Sequence, residues 1–202
     1  MTLRICPKTK ASVCIELDGS IRGTLPLRAL PQSLPSGFEG EIAAEQSEAL
    51  LQQLREYAFN LLLDYLAAAE HSEWQCRSML RRRQFDASLS QNAIDRCKEL
   101  NYLDNARFSE LLINSWIARL ASKRAIIAKL REQRIRASVW QPLLEELYPR
   151  ELASDNIVEL LRKFCVAHRD LPRPKLREKA FTYLYRKGFD LDAIQSAWSD
   201  LD

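Results

Sequence analysis

The repeat that decides the fold is visible in residues 101–135, which read NYLDNARFSELLINSWIARLASKRAIIAKLREQRI. An apolar frame begins in this stretch at Leu130 and Ile135 and ends at Leu144. The same five- and nine-residue steps occur once before it and once after it, at a period of 50 to 54 residues, which is typical of a repeat architecture. The equivalent residues are Leu80, Phe85 and Ile94 in the first copy and Leu184, Phe189 and Trp198 in the third.

Helix start signals divide each copy into three helices. Apolar residues at helical spacing from Leu50 to Leu66 predict a first long helix that ends near His71. Capping boxes, in which a Ser and a Gln three residues apart cap a helix start, are predicted at Ser72 with Gln75, Ser88 with Gln91 and Ser138 with Gln141. Further helix starts are predicted at Asp104 (for a helix through Leu120), Ser122, Ser154, Pro172 with Pro174, and Asp190, while Lys187-Gly188-Phe189 closes a helix.

The N-terminal residues follow a different pattern. Ser12–Leu17 alternates polar and apolar side chains, Asp18-Gly19 is a turn signal, and Ile21–Leu25 resumes after it. This pattern predicts a β-hairpin with one or two further short strands, which should pack on the first helix because a lone hairpin is only marginally stable. We therefore predict a mainly α fold of tandem three-helix repeats in an elongated curved array, with a small N-terminal β-hairpin element. The predicted boundaries are 1–45 for the β element and 46–103, 104–150 and 151–202 for the repeats.

Composition excludes several classes of protein. No apolar run approaches the roughly 20 residues that span a bilayer, and the N-terminus lacks the apolar core of a signal peptide. The five Cys are odd in number and form no Cys-x-x-Cys pair, so we expect reduced thiols in a cytoplasmic protein. With only His71 and His168, no zinc site is expected, and Asp190 with Asp192 is interpreted as helix capping rather than a metal pair. No Gly-rich phosphate loop or catalytic constellation is visible, so neither an enzyme nor a cofactor is expected.

Basic residues are concentrated in the second helix of each copy. Residues 77–83, 119–136 and 173–187 carry net charges of +4, +6 and +5, so the rest of the chain carries −12 for a total of +3. Cations near helix C-termini are explained by the helix dipole alone, but Lys123, Arg124, Lys175 and Arg177 fall at helix starts, where cations are unfavourable. Stacked repeats present equivalent elements on a common surface. The predicted basic face consists of Arg81, Arg82, Arg83, Arg119, Lys123, Arg124, Lys129, Arg131, Arg134, Arg136, Lys175, Arg177, Lys179, Arg186 and Lys187.

Several segments resemble the RecX family, the bacterial regulators of the RecA recombinase. The resemblance covers roughly residues 55–202, and it is most specific at residues 101–108 (NYLDNARF), 129–135 (KLREQRI), 185–189 (YRKGF) and 194–198 (IQSAW). It implies tandem three-helix repeats that bind in the groove of the RecA–DNA filament and block or reshape its activities. The joint from Tyr102 to Phe108 is itself interpreted as structural, with Asp104 capping a helix and Arg107 able to pair with it.

The sequence departs from the family pattern at several helix ends. Gln84 and Arg134 stand where the family usually has the Gly of a Lys-Gly-Phe turn, and Leu120-Ala121 replaces a Gly-rich link. Ala68 and Ala69 stand where the family usually has Arg. Since a non-Gly residue in the left-handed conformation costs roughly 1 kcal/mol or more, the ends at Gln84 and Arg134 are expected to be built differently.

Two functions are compatible with these features. The first is a non-enzymatic, monomeric regulator whose basic face binds the RecA nucleoprotein filament and inhibits the recombinase. The second is a helical module that binds single- or double-stranded DNA with the same face and has no RecA specificity. No membrane partner is expected.

Overall fold

Four β-strands followed by nine α-helices make up residues 1–201, the part of the chain that the computed structural model describes. The residues form two compact units, one covering residues 1–104 and the other beginning at Asn105. The helices follow one another as three triplets, so the predicted class, mainly α three-helix repeats with a small N-terminal β element, is confirmed. The four boundaries given above and the curvature of the array stay predictions.

The N-terminal sheet contains the predicted hairpin. The strands are β1 (Thr2–Thr9), β2 (Ser12–Leu17), β3 (Ser20–Pro26) and β4 (Glu39–Glu41). They pair in the order β3-β2-β1-β4, and every pairing is antiparallel. Asp18 and Gly19 both have positive φ, 47° and 76°, as the tight turn between β2 and β3 requires. The extra strands were expected to be short, but β1 is eight residues long.

The sheet packs on the first repeat, as predicted from the marginal stability that an isolated hairpin would have. Gly23 of β3 is the point of closest approach, because a Cβ there would lie 2.9 Å from both Leu54 Cδ2 and Phe85 Cδ1. Beside it, Thr24 Oγ1 donates a hydrogen bond of 2.9 Å to the carbonyl of Arg83. The inner face of the sheet and the first three helices therefore share one apolar core.

The first triplet consists of α1 (Ala44–Ala68), α2 (Glu73–Arg82) and α3 (Ala87–Glu99). The capping box at the start of α2 is confirmed, since Gln75 N donates to Ser72 Oγ at 3.2 Å and Ser72 N donates to Gln75 Oε1 at 2.9 Å. The box predicted at Ser88 and Gln91 is wrong. Asp86 caps α3 instead, accepting from Leu89 N at 2.7 Å, because its carboxylate is fixed by an ion pair of 3.0 Å with Arg22 of the sheet.

The second unit holds the other two triplets. These are α4 (Asn105–Ile117), α5 (Lys123–Glu132), α6 (Ala137–Leu147), α7 (Arg150–Ala167), α8 (Arg173–Arg186) and α9 (Leu191–Ser199). Ser122 caps α5 and Asp190 caps α9, as predicted. The helix predicted to run to Leu120 ends earlier, at Ile117.

Two predicted caps in this unit are wrong. Ser138 lies inside α6, whose first residue is Ala137, and the Trp140 indole donates to the carbonyl of Ile135 at 3.2 Å just before that start. Ser154 lies inside α7 and donates to the carbonyl of Arg150. That helix begins directly after Pro149, which occupies the N-cap position, where no side chain within residues 1–201 donates or accepts a capping hydrogen bond.

The repeated frame has a backbone explanation. Phe85 N donates to the carbonyl of Leu80 at 3.1 Å, and Phe189 N donates to the carbonyl of Leu184 at 3.2 Å. A hydrogen bond over five residues closes the Schellman motif, the turn that ends a helix on a left-handed residue. In the first and third copies the five-residue step is thus the span of this bond. All nine frame residues are at most 6% exposed.

The helix ends at Gln84 and Arg134 are not built differently, contrary to expectation. Gln84 has φ 64° and Arg134 has φ 54°, in the same left-handed region as Gly188 at 90°. Leu120, in the replaced Gly-rich link, has φ 56°. In each frame turn the following apolar residue, such as Phe85 or Ile135, is buried, and its burial outweighs about 1 kcal/mol of local strain.

Replacing Gln84 with Gly is expected to stabilise the first unit by about 0.5–1 kcal/mol. The substitution removes the left-handed strain of about 1–2 kcal/mol. Part of this gain in stability is lost, because Gly increases the conformational entropy of the unfolded chain. Gln84 is exposed, so little packing is lost. Chemical denaturation of the two proteins measures the difference, with Gln84→Ala as the control that keeps the strain. Equal stability of the Gly and Ala variants would contradict the prediction.

A carboxylate at the start of α2 makes the first unit sensitive to acid. Glu73 accepts from Arg77 Nη2 and from Lys98 Nζ, both at 2.8 Å. Burial by itself raises the pKa of Glu73, but these hydrogen bonds and the two positive charges outweigh it and hold the pKa below its ordinary value. The stability that Glu73 contributes is therefore complete above the ordinary carboxyl pKa and is lost as pH falls through the lowered one. The difference in unfolding free energy between wild type and Glu73→Gln should begin to shrink as pH falls below about 4.3, the ordinary Glu pKa, whereas a difference that does not change with pH would contradict this assignment.

The described cysteines are free thiols, and two of them lie in the core of the first repeat. Cys76 and Cys97 are both 0% exposed. Burial raises the pKa of Cys76 to about 12 and that of Cys97 to about 11. Neither is a reactive thiolate at neutral pH.

Within residues 1–201, every helix is too short or too polar to form a transmembrane span.

Candidate functional site

The predicted basic residues lie at the surface of their units. Fourteen of the fifteen are exposed and Lys129 is half-buried. Arg81, Arg82 and Arg83 end α2 in the first unit, and the other twelve belong to the second unit, in or beside α5 and α8. A single face shared by all three repeats stays a prediction.

Some of these cations have partners that account for their position. Lys129 pairs with Glu132 and lies 5.9 Å from the ring centre of Trp116. Arg177 donates to Gln195 Oε1 at 2.5 Å and stacks on Phe181. Lys187 lies over the ring of Tyr183. These contacts within the second unit account for the position of Lys129. They also account for Arg177, although a cation at a helix start is unfavourable and had therefore suggested a role in binding.

Other cations have no such partner. Within the described part of the chain, no ion pair or side-chain hydrogen bond is formed by Lys123 or Arg124, although both occupy the first turn of α5. A helix N-terminus carries a partial positive charge, so these two residues lower the stability of the free helix. The same absence of partners holds within residues 1–201 for Arg81, Arg82, Arg83, Arg119, Arg131, Arg136, Lys175, Lys179 and Arg186.

The start of α5 is fixed by one buried hydroxyl. Ser122 Oγ accepts from Ala125 N at 3.2 Å, which caps α5, and donates to the carbonyl of Lys187 at 2.6 Å. Beside this bond a Cβ on Gly188 would lie 2.8 Å from Ser122 Oγ and 3.3 Å from Arg124 Cβ. Gly188 is thus required twice, for its φ of 90° and for this close approach. The third repeat meets the second at this point.

A second buried contact fixes α7 against the turn that precedes α5. The Tyr148 hydroxyl donates to the carbonyl of Ala121 at 2.8 Å and accepts from Asn156 Nδ2 at 3.4 Å. Burial raises the pKa of Tyr148, partly offset by the hydrogen bond from Asn156. The hydroxyl therefore stays protonated and keeps its donor role at neutral pH.

These contacts border an open cavity of about 600 Å³ between α5, the start of α7 and the turn from α8 to α9. Lys123, Arg124 and Arg131 line it, so the structure brings these three predicted residues together. Arg150, the first residue of α7, joins them and was not predicted. The signal for it in the sequence was the same as for Lys123, a cation at a helix start, here directly after Pro149. Lys179, Arg186 and Lys187 line a different cleft, with Glu178.

Comparison with known proteins agrees with the helical architecture. Residues 58–97 match the family model described as "RecX, first three-helix domain", and residues 153–198 match "RecX, third three-helix domain". A crystal structure of a regulatory protein RecX superposes with a TM-score of 0.69 at 20% identity, covering 98% of this chain and 99% of that one. Another, of RecX from Lactobacillus salivarius, gives a TM-score of 0.68 at 18% identity over 75% and 99% of the two chains. The fold is that of a protein built from RecX-type three-helix domains.

Curated relatives give the particular family. The regulatory protein RecX of Herminiimonas arsenicoxydans is 32% identical over 135 residues, 67% of this chain and 86% of its own. That of Syntrophotalea carbinolica is 29% identical over 65% and 88% of the two chains, and that of Haemophilus influenzae is 28% identical over 70% and 97%. The chain belongs to the RecX family of regulatory proteins.

Proposed function

We propose that this protein is a non-enzymatic regulator that binds RecA–DNA filaments through its exposed cations and inhibits RecA recombinase activity. Membership in a family of regulatory proteins supports a regulatory role. The RecA filament as the target follows from the family resemblance, and action on it requires a cytoplasmic protein, which fits the free thiols.

The observation that carries the proposal is the exposure of Lys123 and Arg124 at a helix start. Both are exposed at the start of α5, and within residues 1–201 neither has an acidic partner. Charges placed where they weaken the free protein are explained if a bound partner supplies the compensating negative charge. A nucleoprotein filament presents such charge repeatedly, on phosphates and on acidic side chains.

The second candidate is binding to nucleic acid without RecA. It rests on the same exposed cations, since phosphate contacts need positive charge and little else. The two functions differ in what the protein binds when RecA is absent.

Binding assays with three targets distinguish them. The protein is titrated against RecA filaments on single-stranded DNA, against bare single-stranded DNA and against bare duplex, over a range of salt concentrations. Inhibition of RecA strand exchange is measured in parallel with the same protein. The proposal expects binding to the filament to be tighter than to either bare DNA, together with inhibition. Equal, strongly salt-dependent binding to all three without inhibition would establish the nucleic-acid module instead.

A further inference from the structure

The cavity between the second and third repeats combines two kinds of surface. Its rim carries Lys123, Arg124, Arg131 and Arg150, all exposed. Its floor is apolar, formed by Ile127, Ala128, Ala153, Ile157, Phe189 and Ala193. A volume of about 600 Å³ lies within the usual range of ligand-binding sites.

The positive charge of the rim is not neutralised within the described chain. Asp190 is the one acidic residue in the lining, and its Oδ1 accepts from Asp192 N at 3.0 Å to cap α9. Lys123 and Arg150 are the first residues of α5 and α7, so both helix dipoles add to the positive potential. Charge complementarity therefore calls for an anionic ligand.

The apolar floor distinguishes between kinds of anionic ligand. Phosphates of a nucleic acid would use the rim and leave the floor in contact with water. Bases would need an exposed ring to stack on, but the two aromatic residues in the lining, Tyr148 and Phe189, are only 3% and 6% exposed. Carboxylates beside an aliphatic or aromatic side chain match both surfaces, because the apolar side chain gains free energy by covering the floor.

The walls of the cavity are already in place in the free protein. The Ser122 hydroxyl links α5 to the end of α8, and the Tyr148 hydroxyl links α6 and α7 to the turn before α5. A preformed site binds without a large ordering penalty.

We propose that this cavity binds an acidic peptide segment of the partner protein, with one apolar side chain on the floor and flanking carboxylates on the rim. The inference rests on the proposed function for the source of the segment, a protein surface rather than DNA. It assigns a protein contact to Lys123, Arg124, Arg131 and Arg150.

The first test blocks the floor without changing charge. A short fluorescent peptide of alternating Glu and Leu is titrated against the full chain, with a Gln-for-Glu peptide and an oligo-dT as comparison probes. Ala128→Trp, at an exposed floor position, should weaken binding of the Glu-Leu peptide by about tenfold or more and leave oligo-dT binding unchanged. Ala137→Trp, exposed in α6 and outside the cavity, is the matched control and should bind the peptide like wild type.

The second test neutralises the rim and separates binding from folding. Lys123→Gln with Arg150→Gln removes two cations from helix starts, so the double variant should unfold at a higher temperature than wild type. The same variant should bind the Glu-Leu peptide about tenfold or more weakly. Opposite shifts in stability and affinity cannot come from misfolding.

The outcomes also separate this inference from the proposed function. Peptide binding that is equal for wild type, Ala128→Trp and the double variant would overturn the inference. Equal affinity for the Gln-for-Glu peptide would do the same, as would a parallel loss of oligo-dT binding by Ala128→Trp, which changes no charge. Failure of wild type to inhibit RecA strand exchange would overturn the proposed function alone, because peptide binding is measured without RecA.

Discussion

Reversing the charge at three positions on α5 should abolish inhibition of RecA strand exchange. The variant is Lys123→Glu with Arg124→Glu and Arg131→Glu, three exposed cations that line one cavity. Each reversal replaces an attraction to an anionic partner by a repulsion, and losing close charge pairs of this kind weakens association severely. The concentration needed for half-inhibition should rise at least about 100-fold at physiological salt.

Stability and a charge-matched control make this result interpretable. Two of the new glutamates fall in the first turn of α5, where negative charge is favourable, so the variant should fold at least as well as wild type. Arg162→Glu with Lys163→Glu and Arg169→Glu makes the same change in net charge at exposed positions outside the predicted basic face. That control should inhibit within about threefold of wild type, because distant charges are screened. A folded α5 variant that still inhibits at wild-type concentrations would remove the basic face from the mechanism.

Replacing Gly188 with Ala should destabilise the second unit by about 2–5 kcal/mol. The new Cβ would stand 2.8 Å from the Ser122 hydroxyl oxygen, which is buried and held by two hydrogen bonds that a displacement would break. Overpacking of this kind costs about 1–3 kcal/mol, to which the left-handed backbone adds about 1–2 kcal/mol. The loss of stability is measured by denaturant unfolding followed by tryptophan fluorescence, to which Trp116, Trp140 and Trp198 of the second unit contribute.

A second glycine separates the two contributions. Gly37 has nearly the same φ, 86°, but a Cβ there would meet nothing within 4 Å. Gly37→Ala should therefore cost only the conformational part, about 1–2 kcal/mol in the first unit. If the two variants lost the same stability, the contact between Gly188 and Ser122 would not constrain the junction of the repeats.

The repeat, the hairpin and most helix starts could be predicted because each depends on residues close together in the sequence. In two of the copies the five-residue step of the apolar frame is the span of a turn hydrogen bond, and the capping box of Ser72 with Gln75 joins residues only three apart. Prediction failed where a distant residue decides. Asp86 rather than Ser88 caps α3 because Arg22, 64 residues away, holds its carboxylate.

The same limit applies to helix ends and to the candidate site. Local strain argued against left-handed Gln84, yet burial of the neighbouring Phe85 outweighs it. The basic residues could be predicted from the sequence, but the grouping of three of them around one cavity could not. It depends on a hydrogen bond between Ser122 and Lys187, 65 residues apart, and on one between Tyr148 and Ala121, 27 residues apart, which brings Arg150 of α7 into the same lining.

The buried thiols of the first repeat have a practical consequence. Cys76 and Cys97 are fully covered and protonated at neutral pH, whereas Cys6, Cys14 and Cys165 are partly accessible. An alkylating reagent should modify the accessible three first and reach the other two only while α2 and α3 are apart. The rate at which mass spectrometry detects label on Cys76 and Cys97 then measures how often the first repeat opens locally. Slower labelling in the presence of a partner would show that binding of the partner suppresses this opening.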